Sequence, residues 1–280
     1  MYTFDVEQAK AAALEAAYQA GVVIRDAFSN VNKKMDTKSA VTDIVTETDV
    51  LAEKIVIDRL KAFNSSFVFV SEETNNKIEL TDAPTWIIDP IDGTTNFVHS
   101  FPFVAVSIGL AVNKQCVLGV VYNPILEETY SAIKGQGAFR KNKDGQDVKI
   151  TSSAVTEISR SLLSTNYPYD RSTKALNDVH EKMDAFLKQN CRGVRFTGSA
   201  VINLVYVASG QLEAYFENGL QIWDIAAGKV IVEEAGGVVI DPCGGEIDIS
   251  NRRVLAACTS DLAKQLASGL KQVEDKYAEK

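Results

Sequence analysis

The pattern of apolar and polar positions divides the amino-terminal region into two helices separated by a polar loop. Residues 4–28 predict a long helix, because apolar side chains such as those of Leu14 and Tyr18 recur at intervals of three, four and seven. Residues 30–44 are mostly polar and predict a loop. The helical spacing resumes after Thr48, which we expect to be the N-cap of the second helix.

Shorter apolar runs in the rest of the first half predict β-strands. Runs at 67–70 and 86–88 are typical of buried strands, and 104–112 alternates large branched side chains with small ones. Both faces of the 104–112 strand should therefore be covered, and its small face should let another layer approach closely. Hairpin turns are predicted at 113–114 and 143–145. These elements predict two helices packed on a largely antiparallel sheet.

Strands and helices alternate from about residue 155 onward. Apolar runs at 161–164 and 238–240 predict strands. Helices are predicted at 172–190, 199–209, 225–235 and 260–277. This alternation favours an α/β arrangement with helices on both sides of a sheet.

Composition and charge are those of an ordinary soluble globular protein. Of the 280 residues, 46% are hydrophobic and 24% are charged. A formal net charge of −8 argues against nucleic acids and acidic membranes as partners. The apolar segment 101–112 is too short to span a bilayer, and acidic residues near the amino terminus argue against a signal peptide. The four cysteines are scattered without a CxxC pair, which favours free thiols in a cytoplasmic protein.

The chemistry of the chain is concentrated in the stretch W-I-I-D-P-I-D-G-T-T-N-F, which begins at Trp86. Because Pro90 cannot donate to a sheet ladder, we expect the strand to end at Asp89. Asp92 follows three residues later, Gly93 permits a tight turn, and the next two threonines are good helix N-caps. Such carboxylates also suit a plain turn, but with a helix start beside them they are suited to holding Mg²⁺ next to a phosphate.

Two separate stretches carry a resemblance to a known family. The nine residues from Asp89 to Phe97 are similar to the metal-binding signature of the inositol monophosphatase family. The sequence W-D-I-A-A-G from Trp223, with E-A-G-G at 234–237, resembles the carboxy-terminal signature of that family. The similarity extends over about residues 38–257, and two distant matches are more specific than one short pattern.

The resemblance implies a mixed α/β fold of the sugar-phosphatase type. Its layers would follow the order αβαβα, with an antiparallel sheet in the first half and a mixed, mostly parallel sheet in the second. Residues 1–154 would carry most metal ligands, and residues 155–280 would carry Asp224 and the substrate contacts. The two halves would pack tightly as one functional unit with the active site between them. The family is typically homodimeric and lithium-sensitive.

A set of metal ligands for two or three Mg²⁺ ions is implied as well. The set comprises the side chains of Glu72, Asp89, Asp92 and Asp224 and the backbone carbonyl of Ile91. Two like charges 4 Å apart repel by about 4 kcal/mol at an effective dielectric near 20. Such a cluster therefore either binds cations or shifts its proton affinities strongly. Asp224 is also expected to be the N-cap of a helix that starts at Ile225.

Catalytic and substrate-binding roles follow from the same resemblance. Thr94 would hold the attacking water, Glu72 would accept its proton and Asp49 would orient Thr94, although Thr94 also suits simple helix capping. The implied substrate contacts are Asp92, Gly93, Thr94, Gly198, Ser199, Ala200, Glu217 and Asp224. Lys38 matches a family lysine on a loop over the site, whereas its spacing alone is that of an ordinary surface lysine.

The function predicted from these residues is that of a Mg²⁺-dependent phosphomonoesterase. It would hydrolyse inositol monophosphate to inositol and phosphate by direct attack of a metal-activated water, in inositol phosphate metabolism and phosphatidylinositol signalling. No constellation of His or Cys suggests a covalent nucleophile. Gln221 stands where some animal enzymes of the family have His, and this difference bears on substrate preference.

Alternative functions share the metal site or the fold. A related phosphatase would act on histidinol phosphate, fructose 1,6-bisphosphate or 3′-phosphoadenosine 5′-phosphate. Glu217 and the short loops favour a phosphorylated polyol, and the sequence reveals no aromatic or arginine platform for a nucleotide. A regulatory binding protein is a further alternative, because a bacterial branch of the family also binds transcription machinery. The chain has no basic stripe that suggests RNA contact.

Overall fold

A computed structural model describes residues 4–30, 33, 35–37, 44–74, 80–142 and 144–278. The helices are α1 (Val6–Phe28), α2 (Glu47–Phe63), α3 (Thr94–Val98), α4 (Thr173–Lys188), α5 (Ala200–Ala208), α6 (Ile222–Glu234) and α7 (Ser260–Ala278). The strands are β1 (Met35–Thr37), β2 (Ile44–Thr46), β3 (Val68–Ser71), β4 (Thr85–Asp92), β5 (Ala105–Val112), β6 (Gln115–Asn123), β7 (Glu128–Ile133), β8 (Gly137–Lys141), β9 (Asp147–Ile150), β10 (Leu162–Ser164), β11 (Gly193–Arg195), β12 (Ala214–Asn218), β13 (Val238–Ile240) and β14 (Arg253–Ala257).

The first sheet contains β3 to β9 in sequence order. Its pairings are antiparallel except that of β3 with β4, which confirms the predicted antiparallel character. The predicted turn between β5 and β6 is present, with positive φ at Asn113 and Lys114. The turn predicted at 143–145 includes residue 143, which lies outside the described residues. The polar stretch 30–44 also contributes β1 and part of β2, which pair with each other.

The second sheet has the strand order β11-β10-β12-β14-β13. The predicted mixed, mostly parallel sheet is confirmed, because β10, β11, β12 and β13 run in one direction and β14, which is antiparallel to its neighbours β12 and β13, is reversed. Between β13 and β14 the described chain has a short 3-10 turn at Ile249–Asn251 and no α-helix that could cross the sheet. A connection without a crossover joins antiparallel strands, which explains the reversal.

The helices and the two sheets form five layers. α1 and α2 cover the outer face of the first sheet, α5 and α6 fill the space between the sheets, and α4 and α7 cover the outer face of the second sheet. This arrangement confirms the predicted αβαβα order. A single apolar cluster runs from the first sheet through α5 and α6 into the second sheet.

α6 lies unusually close to the first sheet because both surfaces carry small residues. A Cβ atom on Gly119 would lie 2.2 Å from the carbonyl oxygen of Ala227, and one on Gly109 would lie 3.0 Å from Cβ of Ala226. The small face predicted for the 104–112 strand is therefore the surface that receives α6. This contact fixes the position of the amino-terminal end of α6, which reaches the candidate site.

Candidate metal and substrate site

Asp89 and Asp92 both belong to β4, which continues past the point where we expected it to end. The register with β5 shifts between Asp89 and Asp92, as it does at a β-bulge. Pro90 lies in the irregular segment, where its missing N–H does not break a regular ladder. In a regular strand, residues three apart point to opposite faces, so the irregularity is what allows the two carboxylates to converge.

Asp224 approaches the same point from the start of α6. The helix begins at Ile222, so Asp224 is not the N-cap that we expected but the third helical residue. Its carboxylate accepts a hydrogen bond from the N–H of Gln221 at 2.7 Å, which closes the helix terminus. Carboxylate oxygens of Asp89, Asp92 and Asp224 lie within 4.8 Å of one another. The structure thus brings together three of the predicted metal ligands from two elements.

Glu72 joins this cluster from the turn that follows β3. Its N–H donates to the carbonyl oxygen of Ile88 at 3.2 Å, which holds the turn beside β4. Its carboxyl group hydrogen bonds with Asp89 and contributes to the raised pKa of that residue. The carbonyl oxygen of Ile91, the fifth predicted ligand, lies 3.1 Å from the hydroxyl of Thr94.

The carboxylates of the cluster are buried and close together, and both conditions raise their pKa. Burial raises the pKa of Asp89 well above its usual range, and the charges of Glu72, Asp92 and Asp224 raise it further. Burial, followed by the charge of Asp92, likewise raises the pKa of Asp224 well above its usual range. Three convergent carboxylates, two of which resist ionisation strongly, are a chemical fit for a bound Mg²⁺, which would stabilise the charged forms.

Asp92 is held differently from its neighbours. Its carboxylate accepts hydrogen bonds from the hydroxyl of Ser199 and from the N–H groups of Ala200 and Val201, both at 3.1 Å. Burial raises the pKa of Asp92 to about 6, while these donors at the start of α5 lower it. Asp92 therefore connects the metal cluster directly to the loop predicted to bind substrate, and the Ala200 amide expected at the polyol donates to Asp92 in this structure.

Thr94 and Asp49 meet beside the cluster. Gly93, with φ of +89°, is the N-cap of α3, so Thr94 is the first helical residue and not the cap. The Thr94 hydroxyl lies 3.2 Å from Oδ1 of Asp49 as well as close to the Ile91 carbonyl. Asp49 is fully buried and also accepts from the N–H of Thr46 at 2.9 Å. Thr46, not Thr48, is the N-cap of α2.

Glu217, a predicted substrate contact, stands on β12. Its Oε2 accepts hydrogen bonds from Nδ2 of Asn166, at 2.7 Å, and from the hydroxyl of Tyr215. Burial raises the pKa of Glu217 to about 7, although these two donors lower it. The Asn166 amide oxygen accepts from the N–H of Gly198 at 2.9 Å. Asn166 therefore ties two predicted substrate-binding segments together, and the sequence patterns did not single it out.

An exposed aromatic pair lies next to these segments. The rings of Tyr167 and Phe196 are stacked with centroids 4.9 Å apart, and the Arg171 guanidinium lies 5.8 Å from the Tyr167 ring centroid. Tyr167 follows Asn166 directly, and Phe196 precedes Gly198 by two residues. The structure thus reveals the aromatic and arginine surface that the sequence did not, because its members are about 30 residues apart in the chain.

A cavity of about 200 Å³ is lined in part by Glu217. Its walls come from α4, from the segment after β10 and from the end of β12, including Asn166, Glu217 and Lys182. Lys182 is buried and pairs with Asp178 at 2.8 Å. The described residues that line the cavity include none of the predicted metal ligands.

The remaining sequence predictions concern Lys38 and the membrane. Lys38 lies outside the described residues, so its predicted place over the site stays a prediction. Within the described ranges, none of the helices combines the length and the apolar character that crossing a bilayer requires.

Comparisons with known proteins agree with the geometry. The sequence profile of the inositol monophosphatase family matches residues 5–275. Inositol monophosphatase 1 of Homo sapiens is 43% identical over 264 residues, which cover 93% of each chain. The solved inositol monophosphatase from Anabaena has a TM-score of 0.82 at 30% identity and covers 96% of this chain and 97% of its own. The solved extragenic suppressor protein suhB from Bartonella henselae has a TM-score of 0.85 at 33% identity, and the match covers 93% of this chain and 97% of the suhB chain. The chain belongs to the inositol monophosphatase family.

Proposed function

We propose that the protein is a Mg²⁺-dependent phosphomonoesterase that hydrolyses inositol monophosphate to inositol and phosphate. Membership of the family makes it a phosphatase that acts on small phosphorylated substrates. The observation that carries the proposal is the convergence of the Asp89, Asp92 and Asp224 carboxylates within 4.8 Å. With Glu72 and the Ile91 carbonyl beside them, they would hold two or three Mg²⁺ ions.

Bound Mg²⁺ would supply Lewis-acid chemistry, activating a water for attack on phosphorus and neutralising charge on the phosphate and the leaving oxygen. The residues of the chain would orient that water and receive its proton. The Thr94 hydroxyl, within reach of Asp49 and the Ile91 carbonyl, would fix the position of the water. Glu72, at the end of β3, would accept the proton.

The substrate would lie between this cluster and the second half of the chain. Gly93 and Thr94 begin α3, and free N–H groups at a helix start suit a phosphate. Glu217, held by Asn166 and Tyr215 through Oε2, would present its other oxygen to hydroxyl groups of the polyol. Gly198, Ser199 and Ala200 would form the adjoining wall, and Asp224 would face the leaving oxygen.

The wider setting of the enzyme is proposed from the family resemblance. The protein would work in the cytoplasm as a lithium-sensitive homodimer. Among the alternatives, the aromatic pair beside Asn166 gives a nucleotide such as 3′-phosphoadenosine 5′-phosphate a surface on which to stack. The relatives at 41% and 43% identity are inositol monophosphatases, and they favour the polyol.

Phosphate release from myo-inositol 1-phosphate tests the proposal. With Mg²⁺ the protein should turn over, and EDTA should abolish turnover. Asp92→Asn should lower the rate by roughly 10³-fold, because a ligand that stabilises several kcal/mol of transition-state charge is altered. Asp58→Asn is the matched control, since Asp58 is an exposed carboxylate on the outer helix α2.

Each result separates a part of the proposal. Turnover that survives both EDTA and Asp92→Asn would show that the metal assignment is wrong. Absence of turnover by a wild-type protein that binds Mg²⁺ would overturn the substrate assignment. Rates on histidinol phosphate, fructose 1,6-bisphosphate and 3′-phosphoadenosine 5′-phosphate then identify the rival, and a clear preference for a bisphosphate would replace inositol monophosphate.

A further inference from the structure

Helix α2 carries two buried carboxylates on one face, although it lies on the outer layer of the molecule. Asp49 has no exposed surface and Glu53 is 1% exposed. Residues four apart in a helix project from the same side, so the two carboxylates stand one turn apart above the end of the first sheet. Asp49 accepts a hydrogen bond from the Thr94 hydroxyl, whereas Glu53 is not among the predicted site residues.

Glu53 is directed at the turn that carries Glu72. Its Oε2 accepts a hydrogen bond from the N–H of Glu73 at 2.8 Å, and its Oε1 accepts from the hydroxyl of Thr74. Thr74 Oγ1 in turn lies 3.4 Å from the hydroxyl of Ser71, the last residue of β3. Both oxygens of one buried carboxylate are thus engaged by a single four-residue turn.

The backbone around Glu72 is consequently fixed from two sides. The N–H of Glu72 donates to Ile88 on β4, and the next N–H, that of Glu73, donates to Glu53 on α2. One of these anchors is the strand that carries Asp89 and Asp92. The other is the helix that carries Asp49, so the turn is held relative to both parts of the metal side.

Burial of a carboxylate is costly unless strong donors compensate for the lost water. A neutral apolar side chain would fill the same space without that cost, but it could not accept two hydrogen bonds from the turn. The described residues place no lysine or arginine in an ion pair with Glu53. The two hydrogen bonds to the turn therefore explain why a carboxyl side chain occupies this buried position.

We propose that Glu53 is a positioning residue that sets the placement of the Glu72 carboxylate toward the metal site. The assignment rests on the proposed function, in which Glu72 is a metal ligand and accepts a proton. In this arrangement α2 positions both groups that would contact the attacking water. Asp49 positions Thr94, and Glu53 positions Glu72 through the 71–74 turn. Outer groups that orient a metal ligand typically affect metal affinity or activity by roughly 10- to 100-fold.

The experiment compares Glu53→Gln with the wild type and with Asp58→Asn, which removes an exposed carboxylate from the same helix. Mg²⁺ binding to the substrate-free protein is measured by titration calorimetry, and kcat and KM are measured separately. We expect Glu53→Gln to weaken Mg²⁺ binding by about tenfold or more and to lower kcat without a matching change in KM. Asp58→Asn should behave as the wild type in all three quantities.

Coupling to Glu72 distinguishes positioning from a general loss of stability. In a Glu72→Gln background, the added Glu53→Gln change should weaken Mg²⁺ binding no further, because Glu53 acts through Glu72. Thr74→Val removes the hydroxyl that donates to Glu53. It should also weaken Mg²⁺ binding, by a smaller factor than Glu53→Gln does. It provides the same test if Glu53→Gln does not fold.

Two results would overturn the inference. The first is Mg²⁺ binding by Glu53→Gln equal to that of the wild type, with only a lower melting temperature. The second is a loss of Mg²⁺ affinity, on adding Glu53→Gln to Glu72→Gln, that is as large as the loss in the wild-type background. Failure of the proposed function would look different, since the wild type would then bind Mg²⁺ yet release no phosphate from myo-inositol 1-phosphate.

Discussion

The two sides of the candidate site are built in contrasting ways. On the metal side, the aspartates stand on β4, α2 and α6, and each accepts at least one hydrogen bond from a backbone N–H. On the substrate side, Glu217 is held by Asn166, a loop side chain, and the neighbouring aromatic pair is exposed. We infer that the metal side is preorganised and common to many phosphate esters, whereas the substrate side sets which ester is bound.

The contrast between the two sides predicts its largest effect at Thr94, on the metal side. Thr94→Val preserves the shape of this buried residue and removes the hydroxyl that lies between Asp49 and the Ile91 carbonyl. If Thr94 orients the attacking water, kcat should fall by about 10²- to 10⁴-fold with little change in KM. Steady-state kinetics at saturating Mg²⁺ measure this. Thr95→Val, at the exposed neighbouring position, is the control, and an equal loss there would contradict the assignment.

A second test uses the protonation of Glu217 on the substrate side. Burial raises its pKa from 4.5 to about 7, so the folded protein retains a proton that the unfolded chain releases. The resulting stabilisation, of the order of 3 kcal/mol, is complete below pH 4.5 and is lost as the pH rises through about 7. In EDTA, the melting temperature of the wild type should fall relative to that of Glu217→Gln as the pH rises through this window. Parallel curves for the two proteins across this window would refute the shift.

The smallest expected effect sharpens the contrast between binding and chemistry. Asn166→Ala removes the donor to Glu217 and the acceptor for the Gly198 N–H, at a cost of about 1–2 kcal/mol. We expect KM for myo-inositol 1-phosphate to rise about tenfold while kcat and Mg²⁺ affinity stay near the wild-type values. A loss confined to kcat would place Asn166 on the metal side and would remove the distinction drawn here.

The acidic cluster was predictable from sequence because its residues are encoded locally. Asp89 and Asp92 lie within one short motif, and Asp224 lies in a second recognisable stretch. The ends of the elements that carry these residues were predicted less well. The bulge around Pro90 allows β4 to continue, and α6 begins three residues before its expected start. A bulge accommodates Pro90 in β4, and the Asp224 carboxylate caps α6 from its third residue by accepting the Gln221 N–H.

The supporting groups could not be derived from spacing. Asn166 and its partner Glu217 are 51 residues apart, and Glu53 and Thr74 are 21 apart. Each is an ordinary polar residue until the sheets assemble, because hydrogen-bond partners of this kind are determined by three-dimensional position. The order of the layers was predictable from periodicity and resemblance, whereas the reversed β14 in the second sheet required knowledge of how its neighbours connect.

The central position of α6 has a consequence for motion. Its residues Ile225 and Ile231 belong to one continuous core with Val121 of the first sheet and Val254 of the second. Opening the two halves about a hinge would tear this core apart and expose it to water, unlike the polar interfaces across which domains commonly rotate. Any rearrangement that accompanies substrate entry and product departure is therefore expected in surface loops and not between the two sheets.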